Sequence, residues 1–321
     1  MTASRLPAAT GGLRETRVLV TGAGGQLGGY LRAALRQAGA TVTGTGGRPG
    51  DGIDAVADIA NADAIHAVVR EARPDVVIHA AAYTDVDGCE RDPERAAAVN
   101  TVGSHNLAAA AQATCAYLLA VSTDCVFSGS GEAPYAEAAP TGPISVYGRT
   151  KLGGERAVLA ANERFAVART AWVYGGAGKH FPRTVLTLLR DRGAMEVVTD
   201  EAGNPTFAGD LAIALVALAS ARGTGIFHLT NAGRATRCEL AQAVAAAAGL
   251  DPALVRPITT AAFLAKYPLP AKRPADSTLG NTRAASLGIT LRPWREAVAA
   301  YVPRLAIELG LDHPARIVQV V

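Results

Sequence analysis

The run RVLVTGAGGQLGGYLRAALRQAGA, Arg17 to Ala40, constrains the fold more than any other part of the chain. A short β-branched apolar stretch ends in a glycine-rich turn, and a segment of helical periodicity follows at once. Gly22, Gly25 and Gly28 stand at G-x-x-G-x-x-G spacing between the two, with Gln26 and Leu27 inside the turn. Glycines there permit a tight turn and a close backbone approach, so the helix N-terminus can face a pyrophosphate. The same glycines also serve a plain strand-to-helix connection; standing in the first such turn of an alternating chain favours dinucleotide binding.

The alternation continues. ATVTGTG, DVVIHAA and AYLLAVST read as strands, and NADAIHAVVREARP and DPERAAAVNTVGSHNLAAAAQAT as helices. The strands are continuous apolar runs, which predicts a parallel sheet covered on both faces, an α/β doubly wound fold of Rossmann type. RFAVARTAWVYG reads as a further strand; beyond it, longer connections and the proline-rich YPLPAKRPADSTLGNTR predict a smaller α/β lobe. We expect a flexible extension over 1–16, a nucleotide-binding domain over 17–175 to which residues around 206–230 return, and a substrate lobe over 176–205 and 231–321. TRCELAQAVAAAAG, with Thr236 and Glu239 in capping-box spacing, and PWREAVAAYVPRLAIELG are expected helices of that lobe.

Composition excludes several classes. The formal net charge of +3 and the lack of a clustered basic block argue against nucleic acid. No apolar run approaches the length of a membrane span, and the four cysteines show no ligand spacing, so neither membrane insertion, a zinc site nor a disulfide framework is expected. A cytoplasmic protein with free thiols fits these features.

ISVYGRTKLGGER places Tyr147 and Lys151 at i and i+4, one above the other on a helix, where a phenol and an ammonium can address one bound molecule. The second predicted strand ends without a carboxylate at Thr43, Gly44 or Thr45, while Arg48 follows. A 2′-phosphate partnered by Arg48 favours NADPH, with NADH as the alternative if Arg48 is only a solvated loop residue.

Taken with STDCVFSG, HAAAYTDVDGCE, AVNTVGSHNLA, RTAWVYG, TDEAGNPTFAGDLA and LPAKRPADSTLGNTR, these segments resemble the extended short-chain dehydrogenases/reductases, and more narrowly the dTDP-4-dehydrorhamnose reductase family. The resemblance covers Arg17 to about Leu305. It implies that Tyr147 donates a proton in ketone reduction, that Lys151 holds the nicotinamide ribose, and that Thr123 rather than Ser122 binds the substrate carbonyl. A free phenol titrates near about 10, and the lysine is expected to bring Tyr147 closer to working pH. The resemblance gives Asp58 and Ile59 to the adenine, and Ala80, Ala81, Ala82 and Asn100 to the cofactor side. It gives Thr84, Val86, Asp124, Trp172, His180 and Arg273 to a dTDP-sugar bearing a 4-keto group. Plain alternatives stand beside these: a core tryptophan, a solvated Arg273, an ordinary helix asparagine, a surface His180.

Two departures bear on sugar identity. Cys125 stands where the reductases usually have tyrosine, and His180 where many have asparagine. Cys125 also occupies the place of the glutamate that the related dehydratases use, which removes the acid/base for water elimination. The rivals are another nucleotide-sugar ketoreductase or epimerase, and a non-catalytic NADP-binding subunit. A homodimer is left open.

Overall fold

A computed structural model of the chain describes residues 12–311. Six strands follow in chain order: β1 (Arg17–Thr21), β2 (Thr41–Gly46), β3 (Ala55–Val56), β4 (Val76–His79), β5 (Tyr117–Thr123) and β6 (Ala166–Thr170). With the Gly225–His228 strand they form a seven-stranded sheet in the order Gly225–His228, β6, β5, β4, β1, β2, β3, and every pairing in it is parallel. The order reverses between β1 and β4, and at such a switch point a crevice opens beyond the strands' carboxyl ends.

The sheet is buried on both faces. On one, Val18, Val20, Ile78 and Leu119 pack with Leu31 and Leu35 of helix α1 (Gln26–Gln37) and with Leu211 and Leu215 of the Ala208–Ser220 helix. On the other, Leu19, Val77 and Leu118 meet Ile65, Val69 and Leu107. All of β4 and the last four residues of β1 are buried, as continuous apolar runs require. A third cluster around Leu186, Leu240, Trp294 and Val302 fills the remaining lobe. Residues 1–11 of the expected extension lie outside the described residues, but Leu13 is buried in the sheet's core and Glu15 N–H donates to Gly39. Ala284, Ile289 and Leu291 also pack into that core, so the C-terminal part of the chain returns to the sheet.

Two predicted elements are divided. RFAVARTAWVYG is not one strand: β6 ends at Thr170, Trp172 adopts φ +47°, and Val173–Tyr174 leaves to pair with Thr206–Phe207. The helix expected over 92–114 runs as α-helix from Pro93 to Ala97 and from Gly103 to Ala113, with a π-helical turn at Ala98–Val102 between them. Asn100 lies in this turn, its side chain bound to Tyr83 and Thr150 of other segments rather than to solvent. The Thr236/Glu239 capping box is formed, with both reciprocal hydrogen bonds present.

Candidate active site

A cleft of about 860 Å³ lies at the carboxyl ends of the strands. Its floor is the glycine turn. Gly22 adopts φ +68°, open to glycine at little cost. A Cβ on Gly28 would sit 2.2 Å from the Gly22 carbonyl oxygen, so no side chain fits there. Helix α1 begins at Gln26 with no side-chain cap, which leaves its first N–H groups facing the cleft. Gln26 Nε2, Thr45 Oγ1 and Thr170 Oγ1 are buried without a hydrogen-bond partner, and all three residues line the cleft. Uncapped N–H groups, orphaned polar atoms and a wall too close for a Cβ fit a pyrophosphate-linked dinucleotide.

Gly25, Leu27, Asp58, Ile59, Ala80, Ala81 and Ala82 line the same cleft, with Arg48 at its rim beside Gly46 and Gly47. A second arginine, Arg95, reaches this end from the start of the following helix and stands 3.8 Å from Asp58. No property of the local sequence distinguished it from a solvated helix residue.

The reacting end is built by β5 and the Val146–Ala161 helix. This helix starts where the Ser145 hydroxyl accepts the Gly148 N–H at 3.1 Å. Tyr147 and Lys151, one turn apart, both face the cleft, together with Thr123 at the end of β5. Lys151 Nζ donates to the Val121 carbonyl at 2.8 Å, and burial pulls its ammonium down to about 8 against the opposing influence of Glu155. The expected lowering of the Tyr147 phenol is corrected. Burial pushes it well above its ordinary value, Cys125 and Asp124 push the same way, and only the Thr123 hydrogen bond opposes them. Desolvation of a phenolate outweighs the lysine here because the ammonium is turned to Val121.

Thr123 Oγ1 donates to Asp124 Oδ1 at 2.9 Å and accepts the Cys125 N–H at 3.2 Å. Asp124 itself is raised by burial, against hydrogen bonds from Ser277 and Thr123. Ser122 is committed elsewhere, its hydroxyl 2.6 Å from Glu155 Oε1. Glu155 in turn takes Arg169 of β6 in a two-pronged pair at 2.7 and 2.9 Å, each side chain 2% exposed. This triad fastens the catalytic helix to two strands.

Asn100 does not line the cleft. It is 1% exposed, accepts the Tyr83 N–H at 2.8 Å and donates to Tyr83 O and Thr150 Oγ1, both at 3.1 Å, while Thr150 Oγ1 donates to Tyr147 O. A buried chain extends from it to the glycine turn: Ser104 Oγ donates to Asn100 O, His79 Nε2 lies 3.1 Å from Ser104 Oγ, and His79 Nδ1 lies 2.8 Å from Thr21 Oγ1. Because Ser104 spends its proton on Asn100, the network assigns the His79 proton to Nε2, with Nδ1 accepting from Thr21. Burial, with Lys151 nearby, pulls His79 down to about 3, so it stays neutral. Within DVVIHAA it looked like an ordinary strand residue.

Among the residues expected at the substrate, Thr84, Val86, Asp124 and Trp172 line the cleft and two do not. Arg273 is turned away, its Nη2 2.7 Å from Asp87 and its Nη1 on Ala271 O. His180 caps the Phe181–Arg192 helix through Nδ1, with Nε2 3.0 Å from the Tyr301 hydroxyl, and burial pulls it down to about 4. Beside Trp172 the cleft is lined instead by Arg237, whose guanidinium lies 3.5 Å over the Trp172 ring and 3.8 Å from Glu201, with Lys179 also on the wall. Burial lowers Arg237, and Glu201 and Asp124 oppose that. Sequence reasoning missed it because TRCEL reads only as a helix start.

Sheet order, glycine turn and the Thr123, Tyr147, Lys151 arrangement together define a dinucleotide-dependent reductase of the short-chain dehydrogenase/reductase class. The chain belongs to the family described as RmlD substrate binding domain, whose sequence profile matches residues 16–307. It is similar to a dTDP-4-dehydrorhamnose reductase of Mycolicibacterium smegmatis, 44% identical over 88% of this chain and 84% of that protein. A Streptomyces antibioticus protein named a probable dTDP-4,6-dihydroxy-2-methyloxan-3-one 4-ketoreductase is 42% identical over 93% of this chain and 97% of its own length. Among solved structures, a Bacillus anthracis dTDP-4-dehydrorhamnose reductase in complex with NADP superposes with a TM-score of 0.81, at 31% identity, over 89% of this chain and 98% of that one. Among the described residues no helix is long and apolar enough to cross a membrane, and no cluster of His, Cys, Asp or Glu could hold a metal.

Proposed function

We propose that the chain uses NADPH to reduce the 4-keto group of a dTDP-4-keto-6-deoxyhexose, with dTDP-4-dehydrorhamnose as substrate. The observation that carries this reading is the meeting of Thr123, Tyr147 and Lys151 in one cleft with a dinucleotide cradle, in a chain of this family. When bound, NADPH supplies the hydride. The Tyr147 phenol, held protonated by burial, gives its proton to the ketone oxygen as negative charge develops there. Thr123 holds that oxygen by turning its one hydroxyl proton from Asp124 Oδ1 to the ketone, while it goes on accepting the Cys125 N–H. Lys151 Nζ keeps two N–H groups beyond the one on Val121, and these serve the ribose hydroxyls.

Arg48 and Arg95 line the end of the cleft that would hold the adenosine, where either guanidinium could meet a 2′-phosphate. Arg48→Ala is expected to raise the KM for NADPH by about tenfold or more and leave that for NADH nearly unchanged, since a charge-assisted contact is worth roughly 1.5–3 kcal/mol only when its phosphate is present. Steady-state kinetics with both cofactors checks this, and equal effects would remove the preference.

In the substrate half, Arg237 takes the place we had expected for Arg273, opposite the sugar nucleotide's diphosphate. Its stacking on Trp172 fixes both side chains, so the tryptophan is part wall and part core. Arg237→Met, which keeps the stem, is expected to raise the KM for dTDP-4-dehydrorhamnose at least tenfold with the KM for NADPH unchanged, since a hydrogen bond to a charged group is worth roughly 1.5–3 kcal/mol. NADPH oxidation should be followed across several dTDP-4-keto sugars, because Cys125 leaves space where tyrosine is usual. A purified chain that binds NADPH and oxidises it with none of them would favour the non-catalytic rival.

A further inference from the structure

The opposite end of the sheet holds a second cavity of about 1040 Å³, lined by residues that precede the strands or follow the helices. Five arginines line it, Arg17, Arg70, Arg73, Arg164 and Arg222, and a single carboxylate, Asp75. Asp75 is already engaged, accepting both the backbone N–H and the guanidinium of Arg17. Arg222 is spent on the Asp75 carbonyl and on the face of Tyr117. The guanidinium groups of Arg70, Arg73 and Arg164 have no hydrogen-bond or ion-pair partner among the described residues.

The backbone supplies an independent observation. Arg73, Cys115 and Arg222 rim this cavity at φ +40°, +57° and +51°, the left-handed region that glycine enters without penalty and other residues do not. Each follows a helix C-terminus, where glycine is the usual choice. Arginine at a helix C-terminus also complements the helix dipole. The dipole accounts for a cation near these ends but not for a left-handed backbone there, and the Arg73 guanidinium makes no hydrogen bond to the terminal carbonyls.

We propose that this cavity is a binding site for a small polyphosphate, with recognition through a diphosphate group. Unpaired planar guanidinium forks from three segments match phosphate oxygens, and a concave cavity of this size suits a small ligand better than a protein surface. The site is remote from the cleft, so its failure would leave the reductase reading untouched.

The test is calorimetric titration of the protein saturated with both NADPH and dTDP, so that each diphosphate place of the cleft is filled, with inorganic pyrophosphate at low ionic strength, beside the variant Arg70→Ala, Arg73→Gly, Arg164→Ser. The wild type is expected to bind one equivalent beyond the cleft with a Kd below about 1 mM, and the variant to bind at least about tenfold more weakly with NADPH affinity unchanged. Glycine at position 73 relieves the strained backbone, so the anion-free variant should melt no lower than the wild type. ADP binding as tightly as pyrophosphate would place recognition on the phosphates alone; tighter ADP binding would identify a nucleotide as the source. Equal pyrophosphate affinity in the variant, a lowered melting temperature with unaltered binding, or orthophosphate binding as well as pyrophosphate would overturn the proposal.

Discussion

Tyr147→Phe is expected to lower ketone reduction by about 10²-fold or more while leaving NADPH affinity and melting temperature close to wild type. The ring is retained, so packing against the cleft wall survives; only the proton is removed. The buried environment sharpens this expectation. Burial keeps the phenol protonated and so available as a donor, and the neighbouring carboxyl, Asp124, is occupied by Thr123 and Ser277. The loss should fall on kcat and kcat/KM alike, because the transferred proton matters in the transition state and not in binding. Turnover within a few-fold of wild type would remove Tyr147 from the role.

Glu155→Ala is expected to cost about 3–5 kcal/mol of folding stability, because it strands Arg169 as an unpaired charge inside the sheet. Ser122 loses its acceptor as well. Differential scanning calorimetry should show a fall in melting temperature on the order of 10 °C. Glu155→Gln keeps the shape and one oxygen, which can accept from Ser122 or from Arg169 but not fill both places, so it should lose less than alanine yet still leave Arg169 without a counter-charge. The double change Glu155→Leu with Arg169→Met should recover much of the loss, since a buried pair is costly to break and cheap to replace by matched apolar groups. If Glu155→Ala melted like the wild type, the triad would not be what holds the catalytic helix to β5 and β6.

The features legible in the sequence are those whose physics is local. The Gly22, Gly25, Gly28 turn, the four-residue step from Tyr147 to Lys151 and the Thr236/Glu239 capping box each depend on spacing within one element. Sheet class followed from apolar runs that are continuous because both faces are covered. What escaped depends on distant segments meeting. Arg273 was expected at the substrate and Arg237 went unnoticed, because what separates them is distant: Asp87, nearly two hundred residues away, engages the first and Trp172 supports the second. His180 was drawn off to Tyr301 and a helix cap. The sign of the Tyr147 shift was misjudged because spacing alone says nothing of burial or of the Val121 carbonyl that turns the lysine aside. The His79 chain joins Thr21, Ser104 and Asn100 across three elements, and no pattern within β4 announces it.

Deuterium labelling tests the central claim most directly. The purified chain is given dTDP-4-dehydrorhamnose and NADPH carrying deuterium at nicotinamide C4, and the sugar is examined by NMR. With both hydrogens at that C4 replaced, our account predicts one deuterium at sugar C4 for each NADP⁺ formed, and transfer slowed about 10²-fold or more in Tyr147→Phe although that variant still binds both ligands. Unlabelled sugar and intact NADPH, from a folded chain that binds both, would contradict it.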